Sequence, residues 1–341
     1  MLRRRRGGEA LTPRPAVAAF SGPPALPPGH RVPGTRPAVV VFLPRADGRR
    51  AYRGRWTARG PVRRTGPGAG GDDTVTDQPR SPGPPHPARP APPALPPSGP
   101  GPDGGHRVRL LSYNIRSLRD DRRALARVVR ACEPDVVCVQ ESPRYWRPGG
   151  QAAWLARHTG TEILSGGGRV AAGPLLLGRP GLDVLAVRDR LLPKTRGLHA
   201  RGFATAVLRA GGSAPFSVTS CHLSLDPAER YTQFELLPGQ IAPGEHGVIA
   251  GDFNEHPDGP GWQLLAGRFQ DGHPTAPWGG TFTSVPDNPY QRIDAVFATP
   301  GVRVLACGVP HGLPGVGGAD LRAATDHLPV LAVLEIPAPA G

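Results

Sequence analysis

Lysine is almost absent from this chain: Lys194 stands alone beside 40 arginines. Arginine, alanine, glycine and proline together read as the codon bias of a GC-rich genome. The isoelectric point near 11.0 is therefore weaker testimony to a nucleic-acid partner than it would otherwise be. Cysteine is scarce as well. Cys132, Cys138, Cys221 and Cys307 show no CxxC or metal-ligand spacing. A chain of this size has no need of a disulfide framework, and Cys138 and Cys221 lie inside apolar runs, where small buried thiols are expected. No run approaches the roughly 18 apolar residues of a membrane-crossing helix. Met1–Arg6 has the charge of an export signal, but no continuous apolar segment follows before Pro13 and Pro15. A soluble, cytoplasmic protein is the default expectation, with secretion left open. Aromatics make up only 6% of the chain, and the folded domain shows no dense basic and aromatic groove in its sequence, which disfavours a tight, processive nucleic-acid binder. No apolar hairpin or amphipathic segment argues for docking on a membrane.

What is abundant is unevenly spread. Residues 1–105 hold 40 glycines and prolines and a net charge of +11, leaving +3 of the total +14 for the remainder. About 38% Gly and Pro is the composition of disordered sequence. Segments such as Pro84-Pro85-His86-Pro87 and Pro92-Pro93-Ala94-Leu95-Pro96-Pro97 favour polyproline II. The expected organisation is a basic Pro/Gly/Arg-rich extension over 1–105, broken by one short apolar run at 38–43, and a folded domain over 106–341. The extension reads as a dispensable upstream segment, a basic arm for nucleic acid, or a proline-rich ligand for a partner yet to be identified.

Within the domain, 108–113 reads as a strand that ends at Asn114. Leu125, Val128, Val129 and Cys132 recur at i, i+3, i+4 and i+7, predicting an amphipathic helix closed by Pro134. Val136–Gln140 is a second buried strand, ending at Glu141. This is a βα repeat with polar groups at its strand ends. Residues 143–200 carry a helix near 152–158 and a plain loop at Gly166-Gly167-Gly168. Phe203–Leu208 and Phe216–Cys221 read as an antiparallel pair turned at Gly211-Gly212, the second ending at His222. A helix is expected over 227–237, a strand over 247–250, and a short helix around Trp262 to Leu265. Closing strands follow at 293–297, 302–307 and 328–336.

The run 247–250 leads into Gly251-Asp252-Phe253-Asn254. Asp252 and Asn254 stand two apart past a strand, so both side chains can face the same way. A carboxylate beside an amide suits a hard cation and a phosphate oxygen. Asn114, Glu141, His222, Asp294, Asp326 and His327 stand at comparable ends. Each has a bland alternative: an Asx turn or cap for Asn114, Glu141, Asp252 and Asp326, a satisfied strand-end histidine for His222, and a surface ion pair with Arg292 for Asp294. Collected at strand ends, they make a coherent set for phosphate chemistry. Arg201, just before 203–208, is a candidate phosphate contact because a guanidinium forks onto phosphate oxygens.

Ser112-Tyr113-Asn114-Ile115, Gln140-Glu141, Cys221-His222-Leu223, Gly251-Asp252-Phe253-Asn254, Arg292-Ile293-Asp294 and Thr325-Asp326-His327-Leu328-Pro329-Val330 resemble, in order, the motifs of the endonuclease/exonuclease/phosphatase superfamily. The resemblance runs from about 108 to 336. It implies a four-layer α/β sandwich, two mixed sheets packed face to face with outer helices, and hydrolysis of a phosphate ester with Mg²⁺ (Mn²⁺ as a substitute). It further implies that Glu141 is the principal metal ligand, with Asn114 beside it on metal or phosphate and Asp326 completing the site. Asp252 would orient the attacking water and Asn254 would hold the phosphate. His327 would act as acid/base, oriented by Asp294, and His222 would stand near the leaving group. Some relatives pair that histidine with a second carboxylate, for which Glu162 and Asp189 are the candidates.

The same core hydrolyses DNA, RNA, phospholipids such as sphingomyelin and small phosphate esters, and loops decide among them. The expectation is a monomeric phosphodiesterase of endonuclease type. Its rivals are a phospholipid phosphodiesterase, a small phosphatase, a catalytically dead scaffold, and a nucleic-acid-binding protein acting through its arginine-rich extension.

Overall fold

A computed structural model of the chain describes residues 93–168 and 170–340. The expectations for residues 1–92, including polyproline II, the basic arm and the apolar run at 38–43, lie outside the described residues. In chain order the elements begin with β1 (Gly99–Pro100), β2 (His106–Asn114), α1 (Arg122–Cys132), β3 (Val136–Gln140) and α2 (Pro148–Thr159). Then come β4 (Glu162–Gly166), β5 (Leu175–Gly178), β6 (Asp183–Val187), β7 (Arg190–Leu191), β8 (Gly202–Arg209), β9 (Phe216–His222) and α3 (Pro227–Leu236). The chain closes with β10 (His246–Asp252), α4 (Pro260–Ala266), β11 (Gln270–Asp271), α5 (Gly272–Thr275), β12 (Asp294–Ala298), β13 (Arg303–Gly308), α6 (Gly318–Ala324) and β14 (Val330–Ile336).

The strands form two mixed sheets. One runs β13-β14-β2-β3-β5-β4 with β1 on the edge of β2, and the other runs β11-β12-β10-β9-β8-β6 with β7 beside β8. Strand alternation divides the core. Val108 and Leu110 of β2 face Ala204, Phe216 and Val248 between the sheets. Leu111 and Tyr113 point the other way, onto Val128 and Val129 of α1. On the far side, α3 and α4 cover the second sheet through Phe234, Trp262 and Leu265. Helix, sheet, sheet and helix make the expected four layers.

α1 forms where its periodicity puts it. Asp121 accepts from the N–H groups of Arg123 and Ala124 at 2.8 and 3.0 Å, capping the exposed first turn. Glu133 ends the helix with a left-handed φ of 46°. Asp226 caps α3 in the same way through Glu229. Four strands in the region 143–200 and helix α6 escape the sequence reading. β6 and β7 are edge strands with mostly exposed side chains, and α6 is two turns long, so neither periodicity nor apolar content marks them.

The domain begins before 106. The Trp278 indole donates to the Pro93 carbonyl at 2.7 Å, Leu95 packs on the core under α1, and Ser98 Oγ donates to Asp135. β1 then pairs with β2 through Gly99 and Pro100. Residues 93–97 are laid along the domain, so packed chain lies upstream of 106, the boundary composition implied, at least among the described residues. Prolines add little to a core, which is why composition misses it.

Candidate active site

Two sheets meet at one edge, and the polar residues gather there. In the second sheet the ladder sets Asp252 of β10 opposite His222 of β9 and Asp294 of β12. Such close strand packing depends on Gly251. A Cβ there would stand 2.0 Å from the Cys221 carbonyl oxygen. Phe253, fully buried, turns the other way into an aromatic cluster, 5.6 Å from Phe234 and Trp262 and 5.3 Å from Phe297 between ring centres. The ring anchors the backbone between the two polar members of the motif.

Asp252, 1% exposed, is the hub. Its Oδ2 receives Asn114 Nδ2 from the other sheet at 2.9 Å, while His222 Nε2 and His327 Nε2 stand 3.4 and 3.8 Å away. Its Oδ1 accepts from the Asn254 N–H at 3.0 Å, so the Asx turn and the site coexist. Asn254 adopts a left-handed φ of 51° and donates its amide to the Leu223 carbonyl. His327 Nδ1 lies 2.9 Å from Asp294 Oδ2, whose other oxygen is buried without a partner. Thr283 Oγ1 accepts from the Asp294 N–H.

The first sheet supplies the rest. Glu141 directly follows β3 and has a left-handed φ of 53°, a conformation that costs a non-glycine residue about 1 kcal/mol or more. Its carboxylate receives Asn114 Nδ2 at a long 3.4 Å. Asn114 Oδ1 accepts from the Arg116 N–H, and the Arg116 Nε lies 3.1 Å from Asp326 Oδ2. Glu141, Asn114, Arg116 and Asp326 thus form one network. Both ends of the Asn114 amide are engaged, so it ties Glu141 to Asp252 across the sheets. Arg116 belongs to the network and escaped the sequence reading, although its place two residues after Asn114 was a usable signal.

Electrostatics separate the two histidines. Burial pushes His222 down to about 3, with Asp252 pulling in the opposite direction. Burial also opposes charge on His327, but Asp294 and Asp252 outweigh it and raise this imidazole to about 10. At neutral pH the site holds one neutral and one protonated histidine. Arg201, 9% exposed, has a buried Nε without a partner. Burial lowers its affinity for the proton, while Asp252, Glu141 and Glu229 support its charge and Arg144 opposes it. Arg144, the second residue missed, donates to the carbonyls of Ala172 and Ala200 beside Arg201.

Some expectations change. The carboxylate at His222 is Asp252 itself. Glu162 is exposed on β4, and Asp189 accepts instead from Ser165 Oγ and the Gly166 N–H. Arg292 does not pair with Asp294, since it forks onto Asp271 at 2.8 and 2.7 Å. All four cysteines are buried and unbridged, and burial pushes every thiol up, Cys132 to about 12, which disfavours thiolate chemistry.

Two donor sets bear on a metal ion. Asp252, Asp294 and His327 place ligand atoms within 4.8 Å of one another, a group that could hold one. The 2.9 Å contact between His327 and Asp294 equally fits an Asp–His dyad. Glu141 and Asp326 offer hard carboxylate oxygens that fit a cation such as Mg²⁺.

The family description "Endonuclease/Exonuclease/phosphatase family" matches residues 111–327. The chain belongs to that family, whose members are phosphoester hydrolases with the DNase I-like fold. Among solved structures, an endonuclease/exonuclease/phosphatase from Bacteroides vulgatus is 21% identical, covers 67% of this chain and 99% of its own, and has a TM-score of 0.56. The mannosyl-6-phosphatase Bt3783 of Bacteroides thetaiotaomicron is 19% identical, with 67% and 99% covered and a TM-score of 0.55. A humanized D. rerio TDP2 is 16% identical, with 67% and 98% covered and a TM-score of 0.52. At such identities the likeness speaks for the fold. No curated protein sequence matches the chain significantly.

Proposed function

We propose that the chain is a divalent-metal-dependent phosphodiesterase of endonuclease type, with Mg²⁺ as its natural cation. The observation that carries this reading is the hub at Asp252. One buried carboxylate faces a neutral and a protonated histidine at the mouth of two sheets, and a buried arginine whose Nε has no hydrogen-bond partner among the described residues has its charge supported by that carboxylate. Environments that push two titratable groups apart are characteristic of acid/base assignments. Asp252 orients a water and takes its proton, and the Asp294-held His327 imidazolium donates to phosphate or leaving oxygen. Neutral His222 hydrogen-bonds near the leaving group. Asn254 and Arg201 hold the phosphate. Glu141 and Asp326, tied together through Asn114 and Arg116, would hold the cation, which would offset developing negative charge on the phosphate.

The test is hydrolysis of bis-p-nitrophenyl phosphate with Mg²⁺, with Mn²⁺ and with EDTA. Metal-dependent turnover that EDTA abolishes is the expected result. Asp252→Ala and His327→Ala should each cut kcat by about 10²–10⁴ while the circular-dichroism spectrum is kept. Near-normal rates in either variant at saturating metal would sink this mechanism.

A further inference from the structure

Sparse though aromatics are, the exposed ones are not scattered. Among the described residues they are Tyr145, Trp146, Tyr231, Phe282 and Tyr290, and each lies on a segment tied to the site. Tyr231 is on α3, whose Glu229 acts on Arg201. Phe282 and Tyr290 flank Ser284, which bridges to His327. Tyr145 and Trp146, 75% and 88% exposed, follow Glu141 by four and five residues.

The segment Arg144-Tyr145-Trp146-Arg147 sets an arginine on each side of two bare rings. Arg144 is fixed to the carbonyls of Ala172 and Ala200, and its charge acts on both Arg201 and His222. The Cα of Trp146 therefore lies within about 7.6 Å of that of Arg144, two peptide units away. Trp146 and Arg147 both have left-handed backbones, φ 53° and 50°, held where Gln151 at the start of α2 donates to both their carbonyls. The Arg147 guanidinium makes no hydrogen bond or ion pair among the described residues. Exposed rings flanked by cations are a means by which unpaired bases and their phosphates are bound together. A lipid surface would call for a broad continuous apolar face, whereas here two rings stand between two arginines. A duplex hides its base faces, so the rings select a strand whose bases are free to splay.

Building on the phosphodiesterase reading, we propose that Tyr145 and Trp146 form a base-stacking subsite beside the catalytic centre, making single-stranded nucleic acid the substrate class. The test is equilibrium binding of the full chain, with Asp252→Asn to block cleavage, to fluorescein-labelled dT12 and to an abasic dodecamer of equal charge. The basic extension meets the same phosphates in both probes, so the difference between them reports stacking. dT12 should bind about tenfold more tightly than the abasic strand. Trp146→Ala should erase most of that difference, Trp146→Phe should restore it, and Leu185→Ala, on exposed β6, should leave it alone. Equal binding of the two probes, or no effect of Trp146→Ala, overturns the proposal. So does a blue shift of Trp146 emission on phosphatidylglycerol vesicles without base-dependent binding. Because hydrolysis of the small diester is measured separately, failure here leaves the phosphodiesterase reading standing, and failure there leaves this one.

Discussion

His222 and His327 face the same oxygen of Asp252 and titrate in opposite directions, with consequences at the residue scale. The folded-state value of His327, about 10, lies above the unfolded value near 6.5. Its contribution to stability is fully present below pH 6.5 and is lost as pH rises through 10. His222 sits at about 3 in the fold. Below pH 6.5 the unfolded chain binds a proton that the folded one refuses, so stability falls as pH drops toward 3. Denaturant midpoints measured from pH 4 to pH 10 should peak near neutrality, and His222→Gln should flatten the acid side. Asp294→Asn removes the leading source of positive charge on His327. The alkaline limb of the pH–rate profile should then move down by at least one unit, and NMR titration of the His327 ring should show the same shift. An unmoved limb would show that Asp294 does not tune this imidazole.

At the scale of the element, β10 carries the site because its residues alternate. Gly251 lets β9 approach, Asp252 faces the cleft, and Phe253 locks the end of the strand into the aromatic cluster. Phe253→Ala should cost about 3–5 kcal/mol, read from urea unfolding, because it empties the middle of that cluster. Gly251→Ala should cost about 1–3 kcal/mol by overpacking. It should also lower kcat beyond the stability loss, since the inserted methyl pushes Asp252 out of line with His222. Equal loss of activity and folded fraction would assign Gly251 to packing alone.

For the whole molecule, the start of the domain can be tested by truncation. A chain beginning at 93 should unfold at the same temperature as the full chain. One beginning at 106 loses the Pro93 partner of Trp278, Leu95, the Ser98–Asp135 bond and β1. It should melt several degrees lower, since about 1 kcal/mol shifts Tm by roughly 2–4 °C in a domain of this size. Identical melting of the two truncations would make 93–105 mere decoration.

Much of this architecture is legible in the chain alone. Apolar runs such as 136–139 and 247–250, too short for helices, read as strands buried on both faces. The spacing of Leu125, Val128, Val129 and Cys132 marks a helix, and polar residues at strand ends single out Asn114, Glu141, His222, Asp252, Asp294 and His327. Edge strands β6 and β7 and the short α6 are not legible, because elements that bury little leave little periodicity. The packing of the proline-rich residues from 93 onward is hidden for the same reason. Which groups touch could only be decided by the packing of the two sheets. Asn114 reaches Asp252 across 138 residues of chain, and Asp252 rather than Glu162 or Asp189 stands at His222. The physical reason is one of range. Backbone and side-chain patterns act over a few residues, whereas the contacts that set charge, proton affinity and access join segments from opposite sheets.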